Sequence, residues 1–136
     1  MSEQELIHLA FEARERAYAP YSGFAVGAAL ECRDGTVYTG CNIENAAYSV
    51  GVCAERTALC KAVSDGRREF VRIAICGGKA GAEATEACAP CGMCRQALAE
   101  FCDGDFEILL PARGRETQRF CLRQLLPEAF GPQNLS

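Results

Sequence analysis

Three cysteines constrain this chain more than any other feature. Cys53 opens the run Cys53-Ala54-Glu55, and Cys91 and Cys94 lie in Pro90-Cys91-Gly92-Met93-Cys94. Each run begins a predicted helix. The spacing of Ala54, Ala58, Leu59 and Ala62 predicts a helix over Cys53–Val63, stopped by Asp65-Gly66, and a further helix follows Pro90 from about Cys91 to Phe101. Helix starts carry partial positive charge from unpaired N–H groups, which lowers a thiol pKa and favours thiolate. Thiolate is the form that binds zinc. Two helix starts facing each other would aim three sulfurs at one point and leave a fourth position open, as in a catalytic rather than a structural zinc site. Such a centre requires a fold that brings those two helix starts together.

The rest of the chain alternates helix and strand. Leu6, Leu9, Ala10, Ala13 and Ala17 predict an amphipathic helix over residues 3–18, ended by Ala19-Pro20-Tyr21-Ser22-Gly23. Phe24–Leu30 reads as a buried strand, joined at the hairpin signal Asp34-Gly35 to a strand over Thr36–Cys41. Residues 42–52 have no period and read as an ordered loop. Phe70–Cys76 is a strand, Gly77–Ala89 a flexible loop, Phe106–Leu110 and Thr117–Cys121 are short strands, and Leu122–Leu126 is a helical turn. This order predicts an α/β sandwich in one domain spanning residues 1–136, with the first strand pair antiparallel and the later strand–helix–strand crossover parallel.

Composition narrows the function classes. At 136 residues and 49% apolar content, the chain can bury about two-thirds of its unfolded surface without staples. Its net charge of −4 argues against a sequence-independent binder of nucleic-acid phosphate. No stretch approaches the length of a membrane span. The acidic start Met1-Ser2-Glu3-Gln4-Glu5 does not read as a signal peptide, so a cytoplasmic location with reduced thiols is expected for the 10 cysteines. In that compartment cysteines serve as core filler, metal ligands or nucleophiles.

Glu55 sits too close to Cys53 to be a comfortable fourth ligand but can hydrogen-bond a water at the metal, where a proton shuttle must stand. Three thiolates and a zinc ion sum to −1, which weakens the metal as a Lewis acid; the Arg56 guanidinium, donating to the sulfurs, would counter that. The Cys-x-x-Cys pair alone leaves other readings open. It lacks the preceding Trp and central Pro of thioredoxin-type sites, and an iron–sulfur run would want a cysteine where Leu98 stands. Cys88 could close a structural zinc knuckle. Cys32, Cys41, Cys60, Cys76, Cys102 and Cys121 read as inert packing. His8 is the only histidine, so no histidine cluster can supply acid, base or metal ligands.

The two cysteine runs resemble the zinc nucleoside and nucleobase deaminases. With Phe24-Ala25-Val26-Gly27-Ala28-Ala29-Leu30, Gly40-Cys41-Asn42-Ile43-Glu44-Asn45-Ala46, Cys53-Ala54-Glu55-Arg56-Thr57-Ala58 and Leu125-Leu126-Pro127-Glu128-Ala129-Phe130-Gly131-Pro132, the chain resembles the short homotetrameric cytidine deaminases over about residues 18–132. The loop over 77–89, with its extra Cys88, carries no motif of that family.

The resemblance implies a three-layer α/β/α sandwich on a mixed five-stranded sheet. It implies zinc, one per chain, held by Cys53, Cys91 and Cys94, with Glu55 moving a proton from water to the cytosine ring nitrogen and later to the departing ammonia. Cytidine and deoxycytidine would become uridine and deoxyuridine, in pyrimidine salvage. Phe24 would pack on the base, Ala54 would lend its backbone N–H to the pyrimidine, and Asn42 and Glu44 would bind the ribose hydroxyl. Tyr48 and Phe130 match positions that reach a neighbouring subunit's site, implying a homotetramer with shared active sites, a nucleoside as the small-molecule partner, and neither nucleic acid nor membrane. Blasticidin-type deaminases share the short length and the Cys-Ala-Glu core, but Asn42-Ile43-Glu44-Asn45 and Phe130 favour cytidine. A structural zinc protein would instead have four thiolate ligands and no role for Glu55, and short acidic chains without basic loops suit polynucleotide editing poorly.

Overall fold

Small and branched apolar residues alternate along the central strands, so each strand has two buried faces and needs a helical layer on both sides. The computed structural model, which describes residues 1–136, has that form. In chain order the elements are α1 (Glu3–Arg14), β1 (Phe24–Cys32), β2 (Val37–Cys41), α2 (Ala54–Ser64), β3 (Phe70–Lys79), α3 (Gly92–Phe101), β4 (Glu107–Leu110), β5 (Gln118–Cys121) and α4 (Leu122–Leu125), with 3₁₀ turns at Tyr48–Val50 and Pro132–Asn134. The five strands form one sheet in the order β2-β1-β3-β4-β5. β1 is antiparallel to both β2 and β3, β3 and β4 are parallel, and β4 and β5 are antiparallel. The mixed five-stranded sheet and the single parallel crossover through α3 agree with the expectation from sequence.

Two cores lie on opposite faces of the sheet. Ala28, Leu30, Ile73, Ile75, Ile108 and Leu110 pack toward Ala58, Leu59, Ala62 and Leu98 of α2 and α3. Their strand neighbours Ala29, Ala74, Cys76 and Leu109 pack toward Leu6, Ile7 and Ala10 of α1. This is the three-layer sandwich.

Two boundaries differ from the sequence reading. α1 ends at Arg14 rather than at residue 18, because the chain tightens into 3₁₀-type bonds from Arg16 N to Ala13 O and Ala17 N to Arg14 O. The buried Arg14 guanidinium then ties the helix end to the sheet through the carbonyls of Ala25 at 3.0 Å and Lys79 at 2.8 Å. β3 continues through Gly77, Gly78 and Lys79, which read locally as loop, because they pair with Val26, Ala25 and Phe24 of β1.

The topology places the site. β2 and β3 both run antiparallel to β1, so they share a direction, and α2 and α3 follow their carboxyl ends. Helices entered from the same end of a sheet begin at that same end. The start of α2 lies tight on β2: a Cβ at Gly40 would stand 2.5 Å from the Ala54 carbonyl oxygen and 2.6 Å from the Ala58 nitrogen. Both are backbone atoms, so Gly40→Ala must push the helix away. We expect a loss of about 1–3 kcal/mol, read as a lower denaturant midpoint at unchanged m-value; an unshifted midpoint would show that the helix accommodates the methyl group freely.

Candidate active site

Cys53 is the N-cap residue of α2 and Cys91 that of α3, and neither side chain caps its helix. The sulfurs are therefore free to face one another. The Sγ atoms of Cys53, Cys91 and Cys94 all lie within 4.8 Å of one another, with Cys53 to Cys91 at 3.9 Å and Cys91 to Cys94 at 3.5 Å. Cys94, in the first turn of α3, is buried, whereas Cys91 is exposed. Hydrogen bonding from Cys94, then Arg56 and Cys91, pulls the Cys53 thiol down to about 5 against the effect of burial. The Cys94 thiol is pushed up by the same contact with Cys53, so one anion is favoured across the pair. The Nη2 of Arg56 donates to the Cys53 sulfur at 3.8 Å, and its Nε is buried without a partner.

This donor set fits zinc: three soft sulfurs converge, two at helix starts, with a cation beside them to offset excess negative charge. Cys88 stands outside the trio. It packs at the edge of the larger core, and burial, then the nearby Glu55 charge, pushes its thiol up to about 12. Its sulfur is not among the three that converge, so Cys88 reads as core filler rather than a fourth ligand. None of the 10 cysteines is in a disulfide.

Glu55 is 5% exposed, on the first turn of α2 beside the trio. Burial pushes its carboxyl up to about 7, with the Cys53 charge adding to the rise and its own backbone N–H and the Cys94 thiol opposing it. A carboxyl poised near neutrality can both take and give a proton at working pH. Ala54, fully buried, is the first residue of α2, where backbone N–H groups lack partners within the helix.

The remaining sequence candidates lie outside the sulfur cluster, on β1, the segment 42–52 and the C-terminal tail. Phe24, at the head of β1, is 36% exposed, and its ring edge and the Cys88 sulfur both close on Gly77, where a Cβ would meet them at 3.0 and 2.9 Å. Asn42 bridges to β1, accepting from Val26 N at 2.8 Å and donating to the Phe24 carbonyl at 2.8 Å. One amide N–H and one carbonyl lone pair remain for another partner. Glu44 accepts from the Tyr21 and Ser22 backbone N–H groups at 2.9 and 3.0 Å and from the Ser22 hydroxyl, which holds its carboxyl below the ordinary carboxylate range. Sequence reasoning took Tyr21-Ser22 only as the end of a helix; the signal it missed is that Ser22 in a turn can anchor a distant acid. Glu44 lines a cavity of about 280 Å³ with Tyr21, Ser22, Asn45, Tyr48 and Gly51. Segment 42–52 is ordered, as expected, by paired bonds between Ile43 and Val52 and by Tyr18, which bonds Asn42 and Glu44. Tyr48 is 80% exposed and Phe130 58% exposed, each away from its own chain's core. His8 is exposed and faces Glu12 on α1, remote in role from the cysteines. No helix is long and apolar enough to cross a membrane.

Known proteins share this architecture. The profile of the cytidine and deoxycytidylate deaminase zinc-binding region matches residues 1–109. The chain is 48% identical over 136 residues to the cytidine deaminase of Sporosarcina psychrophila, covering 100% of this chain and 96% of that one. The 1.6 Å crystal structure of cytidine deaminase from Burkholderia pseudomallei superposes with a TM-score of 0.87 at 45% identity, covering 96% of this chain and 100% of that chain. Cytidine deaminase from Mycobacterium tuberculosis superposes with a TM-score of 0.78 at 37% identity, covering 96% and 98%. The matched stretch contains the three clustered cysteines and the buried glutamate between them, and this chain belongs to the zinc-binding cytidine and deoxycytidylate deaminase family.

Proposed function

We propose that this chain, acting as one domain over residues 1–136, hydrolytically deaminates cytidine and deoxycytidine to uridine and deoxyuridine with release of ammonia, a step of pyrimidine salvage. The observation that carries this reading is the buried Glu55 carboxyl beside three converging sulfurs. Cys53, Cys91 and Cys94 would hold a zinc ion, one per chain, with Arg56 offsetting the charge of the sulfurs. When bound, zinc supplies Lewis acidity that makes water acidic enough to ionise near neutral pH.

The protein's own groups do the rest. Glu55 takes a proton from the attacking water and delivers it to the cytosine ring nitrogen; it then takes the second proton from the newly added hydroxyl, which becomes the uracil carbonyl, and passes it to the departing amine. Each such transfer contributes about 100- to 10,000-fold. The backbone N–H of Ala54 donates to the pyrimidine, and Phe24 covers the base. Asn42 and Glu44 offer their remaining lone pairs and N–H to the ribose hydroxyl. Free cytosine lacks the ribose hydroxyl and forfeits these contacts, so it is a poor substrate. Tyr48 and Phe130, exposed on the free chain, complete the site of a neighbouring subunit in a homotetramer. Thiolates of this kind suit the reducing cytoplasm.

The test is ultraviolet monitoring of cytidine, deoxycytidine and cytosine turnover, with zinc counted per chain and molar mass measured in solution. We expect turnover of both nucleosides, little of the free base, about one zinc per chain and a tetramer. Absence of nucleoside turnover in the zinc-loaded protein would refute the reading.

A further inference from the structure

Two side chains on α3 hold backbone that the chemistry above leaves unused. Arg95 directly follows Cys94. Its Nε donates to the Pro90 carbonyl at 2.7 Å and its Nη1 to the Leu125 carbonyl at 2.7 Å. Gln96 is next, and its Nε2 donates to the Phe130 carbonyl at 2.8 Å. Pro90 is fully buried and immediately precedes Cys91. Leu125 is the last residue of α4, whose closing carbonyls have no partners within the helix. Arg95 makes no ion pair with any carboxylate, so its positive charge is committed to two carbonyls from distant parts of the chain. The planar guanidinium presents donors in a rigid fork, and charge-assisted bonds from it are among the stronger ones available. A lysine ammonium at the same place would not reproduce that fork.

We infer that Arg95 and Gln96 are positioning residues that brace the C-terminal tail against the segment Pro90–Cys94 that opens α3, holding Phe130 in register with the centre. The inference rests on the deaminase reading for the role of Phe130. Phe130 carries an exposed ring on a backbone that Gln96 grips, so the brace fixes where the ring projects without burying it. Because Phe130 serves a neighbouring subunit's site, the brace mechanically joins the Pro90–Cys94 segment of one site to the substrate pocket of the next. Substrate binding, rather than the proton transfers of Glu55, is then the quantity it controls.

The test compares zinc-loaded full-length wild type with Arg95→Ala, Arg95→Lys and Gln96→Ala. Arg95→Ala is expected to speed amide exchange across residues 126–131 by about tenfold and to raise KM for cytidine by about tenfold, with kcat and bound zinc little changed. Arg95→Lys should stay close to Arg95→Ala, because a single ammonium does not bridge both carbonyls. Gln96→Ala removes one exposed bond and should raise KM by about threefold at unchanged Tm. Unchanged tail exchange, or a fall in kcat at constant KM, overturns the brace. Should Arg95→Ala fail to fold, Gln96→Ala decides alone: wild-type KM and tail exchange would overturn it. A wild type that does not turn over cytidine sinks the deaminase reading instead, while the exchange measurement still decides the brace.

Discussion

Glu55→Gln is expected to keep about one zinc per chain and to lose cytidine turnover by roughly 10⁴-fold or more, since the amide can make neither of the proton transfers. Glutamine matches glutamate in volume, so the packing of the first turn of α2 survives and the loss is chemical. Retained turnover near the wild-type rate would remove Glu55 from the mechanism. The same substitution has a stability signature in the metal-free, chelator-treated protein. The folded Glu55 carboxyl titrates at about 7 because it is buried, against an ordinary value of 4.5. The folded state therefore holds this proton more tightly than the unfolded chain does. As pH rises from 4.5 to about 7, the native state loses that advantage and must carry a buried charge. Glu55→Gln escapes this loss. It should be more stable than wild type above pH 7, by an amount on the order of 2–3 kcal/mol, with the gain fading as pH falls to 4.5. Urea unfolding of both proteins at three pH values reads the difference; a gain independent of pH would show that titration of Glu55 is not its source.

Removing a sulfur has the opposite pattern. Cys91→Ala is expected to lose bound zinc and activity together, because two sulfurs cannot hold the ion as three do. An ion bound only by the folded state stabilises it by mass action, about 4 kcal/mol at a thousandfold excess over Kd, so Tm should fall by roughly 10 °C or more. Cys91 is exposed, so the substitution opens no core cavity and the drop reports the metal rather than packing. Cys88→Ser is the matched control. Cys88 stands outside the sulfur trio, and its serine variant should retain about one zinc per chain. Zinc loss in Cys88→Ser would mean four thiolates and a closed structural site, and retention in Cys91→Ala would mean the trio does not hold the ion.

Much of the architecture was legible in the linear sequence, for reasons visible at particular residues. The Ala54–Ala58–Leu59–Ala62 stripe and the Asp34-Gly35 turn are local signals, and the structure keeps both. β3 beyond Cys76 was not legible, because two glycines carry no strand preference and only pairing with Phe24–Val26 extends the strand. The end of α1 was not legible either. Ala17 continues the apolar stripe, but Arg14 is drawn to carbonyls of Ala25 and Lys79 that no local window contains.

The site divides along the same line. Chain chemistry by itself singled out three thiols and a glutamate as the candidate set, since His8 is the only histidine and the two cysteine runs each open a helix. Residue type and helix position are local properties, and a helix start carries its electrostatics wherever it lies. Tertiary structure alone decided that Cys88 stays out of the trio, that Glu44 is anchored by Ser22, that Asn42 is half engaged by β1, and that Arg95 joins Pro90 to Leu125. Each of these depends on which hydrogen-bonding groups meet across the fold. A side chain's type lists the bonds it can make, whereas only the packing of distant segments selects which ones form.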